Sequence, residues 1–443
     1  MNFMTKKLRV VMHKTDKWSD QISFYRFFSN DRVREEALIM LMQNQCLAHC
    51  CDLSHLLLIE DTTELNMEKH RNRIVSKEAL GLTGNNADLG FFCHPTAVVN
   101  PEDASMIGII DLHLWHRQED KQDKKQRNYQ HLPIEQKESY RWASRPIDVR
   151  KRLPATSKVT VVQDREGDIY ESFCLLAQSG IDWVIRSSHN RLTESGKLYE
   201  EINNFPLSGQ YEICINSDNK KRINRQAKLE VRYGSVELCC PTNKMDKQAY
   251  PKTLLVQVVY VKERADSVPD GETPLEWILY TSHPVSSLAE ACQIIYYYTL
   301  RWLIEDLFRT LKSKGLNYES SELESGTALR KLLIMALVAA VQILQLRQAR
   351  DGTTNQKPTL VFSEEQLSCM EDLMPRFEGK TEKQKNPHPR DNLAWATWII
   401  ARLGGWKGYS SQRPPGVITL HDGLMRFHNV FDGWIIAKDV YKR

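Results

Sequence analysis

The sequence is poor in several things that would narrow its class at once. No run of about 18 apolar residues occurs along its 443 positions, so nothing in it reads as a membrane span. The amino end, Met-Asn-Phe-Met-Thr-Lys-Lys-Leu-Arg-Val, has neither a long apolar stretch nor a small-residue cleavage site, and no signal peptide is expected. The ten cysteines follow no regular framework, which suits reduced thiols in a cytoplasm. Their one cluster, Cys46, His49, Cys50 and Cys51, lacks a second ligand pair at finger spacing, so a structural zinc is not expected. Net charge is low too. The 60 Lys and Arg stand against 56 Asp and Glu, and the resulting +4 does not by itself announce a nucleic-acid partner.

What is present describes a large globular chain. Apolar content of 41% and charged content of 26% are ordinary, and the length suits two or three structural units. The basic residues are grouped: Lys121, Lys124, Lys125 and Arg127; Lys220, Lys221, Arg222 and Arg225; Lys380, Lys383, Lys385 and Arg390. Any one such group is most simply a solvated loop, but three make a modest case for a phosphate-tracking surface.

Residues 1–20 show no clear period, and 31–50 read as a helix capped by Asn30 or Asp31. The run His55-Leu-Leu-Leu-Ile-Glu predicts a buried strand with Asp61 at its carboxyl end. Strands follow at 90–98 and 106–115, a polar loop at 117–130 and a helix around 134–151. Lys158-Val-Thr-Val-Val-Gln is a strand that again ends on aspartate, Asp164. A helix over 167–179 and a strand ending at Arg186 complete a β-β-β-α-β-α-β order. Residues 211–217, 227–240, 253–263 and 275–282 read as an all-β insertion. An apolar helix at 329–348, a Lys-rich linker at 375–391 and a helical unit rich in Trp and Gly from Leu393 to Lys438 close the chain.

Residues 286–315 read as one long helix, opened by a capping box at Ser287 and Glu290 and stopped by Lys312, Lys314 and Gly315. At about 100° per residue, Tyr298, Arg301, Glu305 and Lys312 share a stripe roughly 60° wide, opposite Leu300, Leu303, Leu307 and Leu311. The plain alternative is an amphipathic helix whose Arg301 and Glu305 form an intrahelical pair worth about 0.2–0.5 kcal/mol.

The spacing Tyr298, Arg301, Glu305, Lys312 resembles the Y-R-E-K pattern of bacterial insertion-sequence transposases, above all the cut-and-paste Tn-five type. Glu60-Asp-Thr-Thr63 and Asp164-Arg-Glu-Gly-Asp168 are similar to that family's first two motifs. Gly271 to Ser282 looks like the end of its β-insertion, and Ala401-Arg-Leu-Gly-Gly405 with Leu424 to Asp439 resembles its pairing domain. The resemblance covers most of 21–443. It implies a ribonuclease-H-like mixed α/β sheet flanked by helices, an all-β insertion before the last catalytic helix, and a helical carboxyl-terminal domain. The implied segments are 1–50 (partial helical DNA-binding region), 51–190 (first part of the core), 191–284 (insertion), 285–375 (core completed) and 376–443 (dimerisation).

By the same resemblance, Asp61, Asp164 and Glu305 form a catalytic triad holding Mg²⁺, with Mn²⁺ as a substitute. Tyr298, Arg301, Lys312, Trp277 and Arg186 contact DNA, Trp277 by receiving a flipped base. Taken singly, each has a structural reading: a strand-terminal Asp is commonly a cap, Trp277 suits a strand core, and Arg186 an ordinary surface. His113, His116 and His189 read as hydrogen-bonded histidines without a metal or acid–base role. The implied partners are double-stranded DNA, as transposon ends and target, and a second copy of the chain on DNA, with no membrane. The implied place is the bacterial cytoplasm, at the nucleoid. One departure stands out: the family's amino-terminal domain is longer than the stretch before Asp61, which predicts weak end-specific recognition. Two rivals follow, a non-catalytic DNA-binding inhibitor of transposition and a structure-selective nuclease of the same fold.

Overall fold

A computed structural model describes residues 18–118, 132–215, 224–242, 249–313, 315–409 and 412–441. The first elements are α1 (Trp18–Phe28), α2 (Glu35–Cys50), β1 (His55–Glu60), β2 (Thr63–Asn66), β3 (Gly81–Leu82), β4 (Leu89–Val99) and β5 (Met106–Trp115). Next come α3 (Arg141–Arg150), β6 (Lys158–Gln163), α4 (Tyr170–Gln178) and β7 (Asp182–Arg186). The insertion holds β8 (Leu192–Thr193), β9 (Gly196–Lys197), α5 (Leu198–Asn204), β10 (Leu207–Ile215), β11 (Arg225–Cys239), β12 (Thr253–Glu263) and β13 (Glu276–Thr281). The remainder is helical: α6 (Leu288–Thr299), α7 (Trp302–Lys312), α8 (Gly326–Ala349), α9 (Glu364–Leu373), α10 (Leu393–Leu403) and α11 (Val417–Tyr441). The fold is therefore mixed α/β, divided into two compact units.

One unit contains α1, α2, β2 to β5, α8 to α11 and all of α7 after Trp302. Its β4 is buried along its whole length and pairs antiparallel with β2, β3 and β5. The centre is α8, against which α1, α2, β5, α10 and α11 pack. By length and composition α8 could cross a membrane, with a mean hydropathy of 1.8, yet 94% of that window is buried inside the protein. It is a core helix, and two of its buried polar residues bond to backbone carbonyls of neighbouring elements. Lys331 Nζ donates to the carbonyls of Phe28 (3.2 Å) and Asn30 (3.1 Å), and Gln345 Nε2 donates to those of Met106 and Ile107 (3.0 Å each).

The other unit contains β1, α3 to α6, and β6 to β13. Here β1, β6 and β7 run parallel, with α3 preceding β6 and α4 linking β6 to β7. The strands of the insertion do not form a sheet of their own. β13 pairs antiparallel with β7, and β12, β11 and β10 follow in turn.

Three expectations need correction. The stretch 286–315 is two helices rather than one. Its capping box is present, with Ser287 Oγ accepting from the Glu290 amide (3.3 Å) and Glu290 Oε2 accepting from the Ser287 amide (3.0 Å). The break falls at Leu300–Arg301. Thr299 Oγ1 donates to the Tyr296 carbonyl at 2.7 Å, and the Arg301 amide takes the nearer Tyr298 carbonyl at 3.1 Å, tightening the last turn. Second, α2 starts at Glu35 with Arg34 in the cap position and no side-chain cap, while Asn30 Oδ1 accepts from the Arg32 amide in the preceding turn. Third, the expected helix at 134–151 is two short 3₁₀ turns followed by α3. Of the basic groups, Lys121, Lys124, Lys125, Arg127, Lys220, Lys221 and Arg222 lie outside the described residues. In the third group Lys385 pairs with Glu382 (2.6 Å) and Arg390 with Glu371.

Candidate active site

The parallel pairing of β1 and β6 brings two of the expected acids together. His55 is opposite Lys158 and Ile59 is opposite Val162, a constant offset of 103 residues. Continued beyond the ladder, the same offset sets Glu60 opposite Gln163 and Asp61 opposite Asp164. The first of these extended pairs is real: Gln163 Nε2 donates to Glu60 Oε2 at 2.8 Å, with Glu60 0% exposed. Successive side chains of a strand point to opposite faces. Glu60 and Gln163 therefore share one face, and Asp61 and Asp164 are the next residues after the two strand ends, on strands spaced roughly 4.8 Å apart.

The local sequence explains why the second strand ends where it does. Asp164 caps a 3₁₀ turn, its Oδ1 accepting from the Glu166 amide at 2.8 Å. Gly167 passes so close to Gln163 that an added Cβ would lie 2.3 Å from Oε1. Asp168 is buried and anchors the segment after β7. Its Oδ1 accepts from Arg191 Nε (2.7 Å), and its Oδ2 accepts from the Ser188 amide (2.7 Å) and Ser188 Oγ (3.1 Å). In Asp-Arg-Glu-Gly-Asp, the first acid thus stands at the carboxyl end of an interior strand and the last holds the scaffold.

Arg301, at the break between α6 and α7, directs Nη1 to Asp61 Oδ2 at 3.3 Å and lies over the Tyr298 ring, 5.7 Å from its centroid. It is only 8% exposed, so the pairing is largely shielded from water. Trp277 and Tyr298 meet edge to face with centroids 5.2 Å apart, and Trp302 joins them 6.0 Å from Trp277. Trp277 is 3% and Tyr298 2% exposed, so here both are core residues. Arg186 ends β7 and donates from Nη2 to the Glu276 carbonyl at 2.9 Å.

Glu305 and Lys312 belong to the other unit. Glu305 stands half-buried in the first turn of α7. Lys312 is tied to β2, with Nζ donating to the Glu64 carbonyl and 3.7 Å from Glu319 Oε1. Among the described residues no group of three or more His, Cys, Asp or Glu side chains is close enough to hold a metal. Of the sequence-derived set, the fold pairs Asp61 with Arg301, sets Asp61 and Asp164 directly after two paired parallel strands, and packs Trp277 against Tyr298.

At the opposite end of β1, His55 Nε2 and His283 Nε2 both contact Thr160 Oγ1, at 2.9 and 3.0 Å. Burial, with Lys158 and His283 nearby, pushes the His55 imidazole down to about 4. His283 is lowered as well, chiefly by burial. His116 is hydrogen-bonded to Arg330 (3.0 Å) and His113 stacks on Trp115. The sequence reading missed the Glu60–Gln163 pair and the Asp168–Arg191 bridge. A signal for the first was available, since both strands are apolar runs that end on one polar residue before the aspartate.

Residues 147–342 match the family described as Transposase DDE domain. The matched segment includes Asp164 and Glu305. Among solved structures, the cryo-EM structure of a piggyBac transposase synaptic complex with hairpin DNA aligns at 10% identity over 86% of this chain and 73% of that chain, with a TM-score of 0.33. Over 147–342 the chain is thus similar to the DDE transposases, which as a family are metal-dependent DNA-cleaving enzymes.

Proposed function

We propose that this chain is a DNA transposase that cleaves at transposon ends and joins the freed 3′ end to target DNA. The observation that carries the reading is the parallel pairing of β1 and β6, which end one residue before Asp61 and Asp164 respectively. The family match over 147–342 supports it, because it includes the second aspartate and the proposed third acid, Glu305.

The donor set fits a hard divalent cation. Asp61 and Asp164 offer carboxylate oxygens, and Mg²⁺ is typically bound by one or two carboxylates together with substrate phosphate. When bound, such an ion supplies activation of the attacking hydroxyl and stabilisation of the leaving oxygen. Mg²⁺ is the proposed ion and Mn²⁺ its substitute. Arg301 orients Asp61, and it would yield part of that contact to a bound cation. Asp164 is oriented through its bond to the Glu166 amide.

Arg186 and Lys312 are proposed contacts to DNA phosphates. Stacking of a base on Trp277 requires the indole to be uncovered from beneath Tyr298 and Trp302. The proposed assembly is a monomer in free solution and a dimer on paired DNA ends, in the cytoplasm at the nucleoid; light scattering with and without end DNA measures it. The chemistry is tested by a strand-transfer assay with pre-cleaved terminal-repeat DNA and Mg²⁺. Joined product that disappears in Asp164→Asn, with DNA binding retained, is the expected result. Joined product at the wild-type level in that variant overturns the reading, and cutting without joining identifies a nuclease instead.

A further inference from the structure

A second site lies wholly within the unit that holds α8. A cavity of about 880 Å³ is bounded by α7, the end of α8 and the loop between α10 and α11. Five cations line it, Arg309, Arg347, Arg350, Lys407 and Arg413, and Asp306 is the one carboxylate among its described lining residues. Asp306 is already engaged, 2.9 Å from Arg309 Nη1 and in contact with Arg347 Nη2. Asp351, outside the lining, lies 3.3 Å from Arg350 Nε. At 3.6 residues per turn, Asp306 and Thr310 lie about 100–140° round α7 from Glu305.

The walls are built to stay open. An added Cβ on Gly404 would lie 2.0 Å from the Thr419 carbonyl oxygen, so glycine alone lets the end of α10 meet the first turn of α11. Gly405 follows with a φ of +94°, a conformation that suits glycine. Arg350 Nη1 donates to the Pro415 carbonyl at 3.1 Å, and Arg402 Nη1 bonds the Trp406 and Lys407 carbonyls, so the loop is pinned at both ends. The start of α11, Gly416 to Thr419, faces the same space and adds the positive end of a 25-residue helix.

Asp306 and Asp351 offset only part of the five positive charges, and the excess is suited to an anion. Guanidinium forks match phosphate oxygens in geometry as well as charge. The array is also graded. Arg347 and Arg350 are 26% and 28% exposed, whereas Lys407 and Arg413 are exposed residues, with Trp406 also lining the cavity. Such grading suits successive phosphates of a strand better than a single enclosed ion.

We propose that this cavity binds the sugar–phosphate backbone of duplex DNA, with residues distinct from those assigned to catalysis; the choice of DNA rests on the transposase reading. The test is the salt dependence of binding of the full chain to a random-sequence duplex, followed by fluorescence anisotropy. Each phosphate contact contributes a slope of about 0.9 in log K against log salt. Lys407→Ala with Arg413→Ala should lower the slope by roughly two contacts' worth, about 1.8. The control, Lys69→Ala with Lys357→Ala, changes two exposed lysines of the same unit that neither line the cavity nor belong to the basic groups of the sequence, and should leave the slope unchanged. An unchanged slope in the cavity variant overturns this proposal alone. A wild-type chain that binds no duplex overturns the transposase reading and this proposal with it. If inorganic phosphate raises the wild-type melting temperature while the duplex slope is the same in both chains, the cavity is a free-phosphate site and the backbone assignment falls.

Discussion

Arg301 Nη1 lies 3.3 Å from Asp61 Oδ2, although the two residues are 240 positions apart. The contact depends on the break in the helix at Leu300–Arg301. A continuous helix would keep Arg301 on the stripe it shares with Glu305. The tightened turn instead brings the guanidinium to the end of β1, over the ring of Tyr298. An acid proposed as a metal ligand is thereby oriented by a buried cation.

Arg301→Ala should therefore destabilise the chain. The Asp61 side chain, 18% exposed, would lose its charged partner, at a cost of about 1–3 kcal/mol. Urea unfolding midpoints measure it. Arg301→Lys should recover part of the loss, because an ammonium supplies the charge without the planar fork.

Glu305→Gln is expected to abolish strand joining and leave DNA binding within about twofold. The change removes a proposed ligand charge without removing a proposed phosphate contact. Parallel strand-transfer and anisotropy measurements decide between this and a purely structural glutamate, which would leave joining intact.

Trp277→Ala should cost about 3–5 kcal/mol of stability, the usual penalty for emptying an aromatic site in a core. Its indole is buried against Tyr298 and Trp302. Trp277→Phe keeps much of that packing. If the position also receives a base, Trp277→Phe should lower joining far more than it lowers the melting temperature.

The His55 cluster predicts a pH dependence of stability. The folded protein holds His55 neutral down to about 4, through burial with Lys158 and His283 alongside and Asp182 opposing. The unfolded chain protonates it below about 6.5. Between those values the unfolded state binds the extra proton, so stability is full above pH 6.5 and declines as pH falls towards 4. His283 acts in the same direction. Melting temperatures from pH 7.5 to 4.5 should fall less steeply in His55→Gln than in the wild type.

The apolar runs 55–60 and 158–163, each ending before an aspartate, identify both acid-bearing strands, and the longer strands of the insertion, β10 to β13, are readable from alternation and apolar runs. The capping box at Ser287 likewise locates the start of α6. These are local signals, carried by side-chain period and end chemistry, so one sequence contains them. The break at Leu300–Arg301 is different. The Arg301 amide bonds the Tyr298 carbonyl three residues back, and such a local tightening has no periodic signature.

What the sequence by itself determined was the set of elements and the acids at their ends, because burial pattern and capping act over a few residues. What only the tertiary structure decided was pairing across long separations. The pairing of the strands that end before Asp61 and Asp164, the reach of Arg301 to Asp61, and the burial of Trp277 against Tyr298 all depend on which elements pack together. The cavity of cations has the same origin. Arg309, Arg347 and Arg413 are unremarkable in the chain and become a site only where three segments of one unit converge.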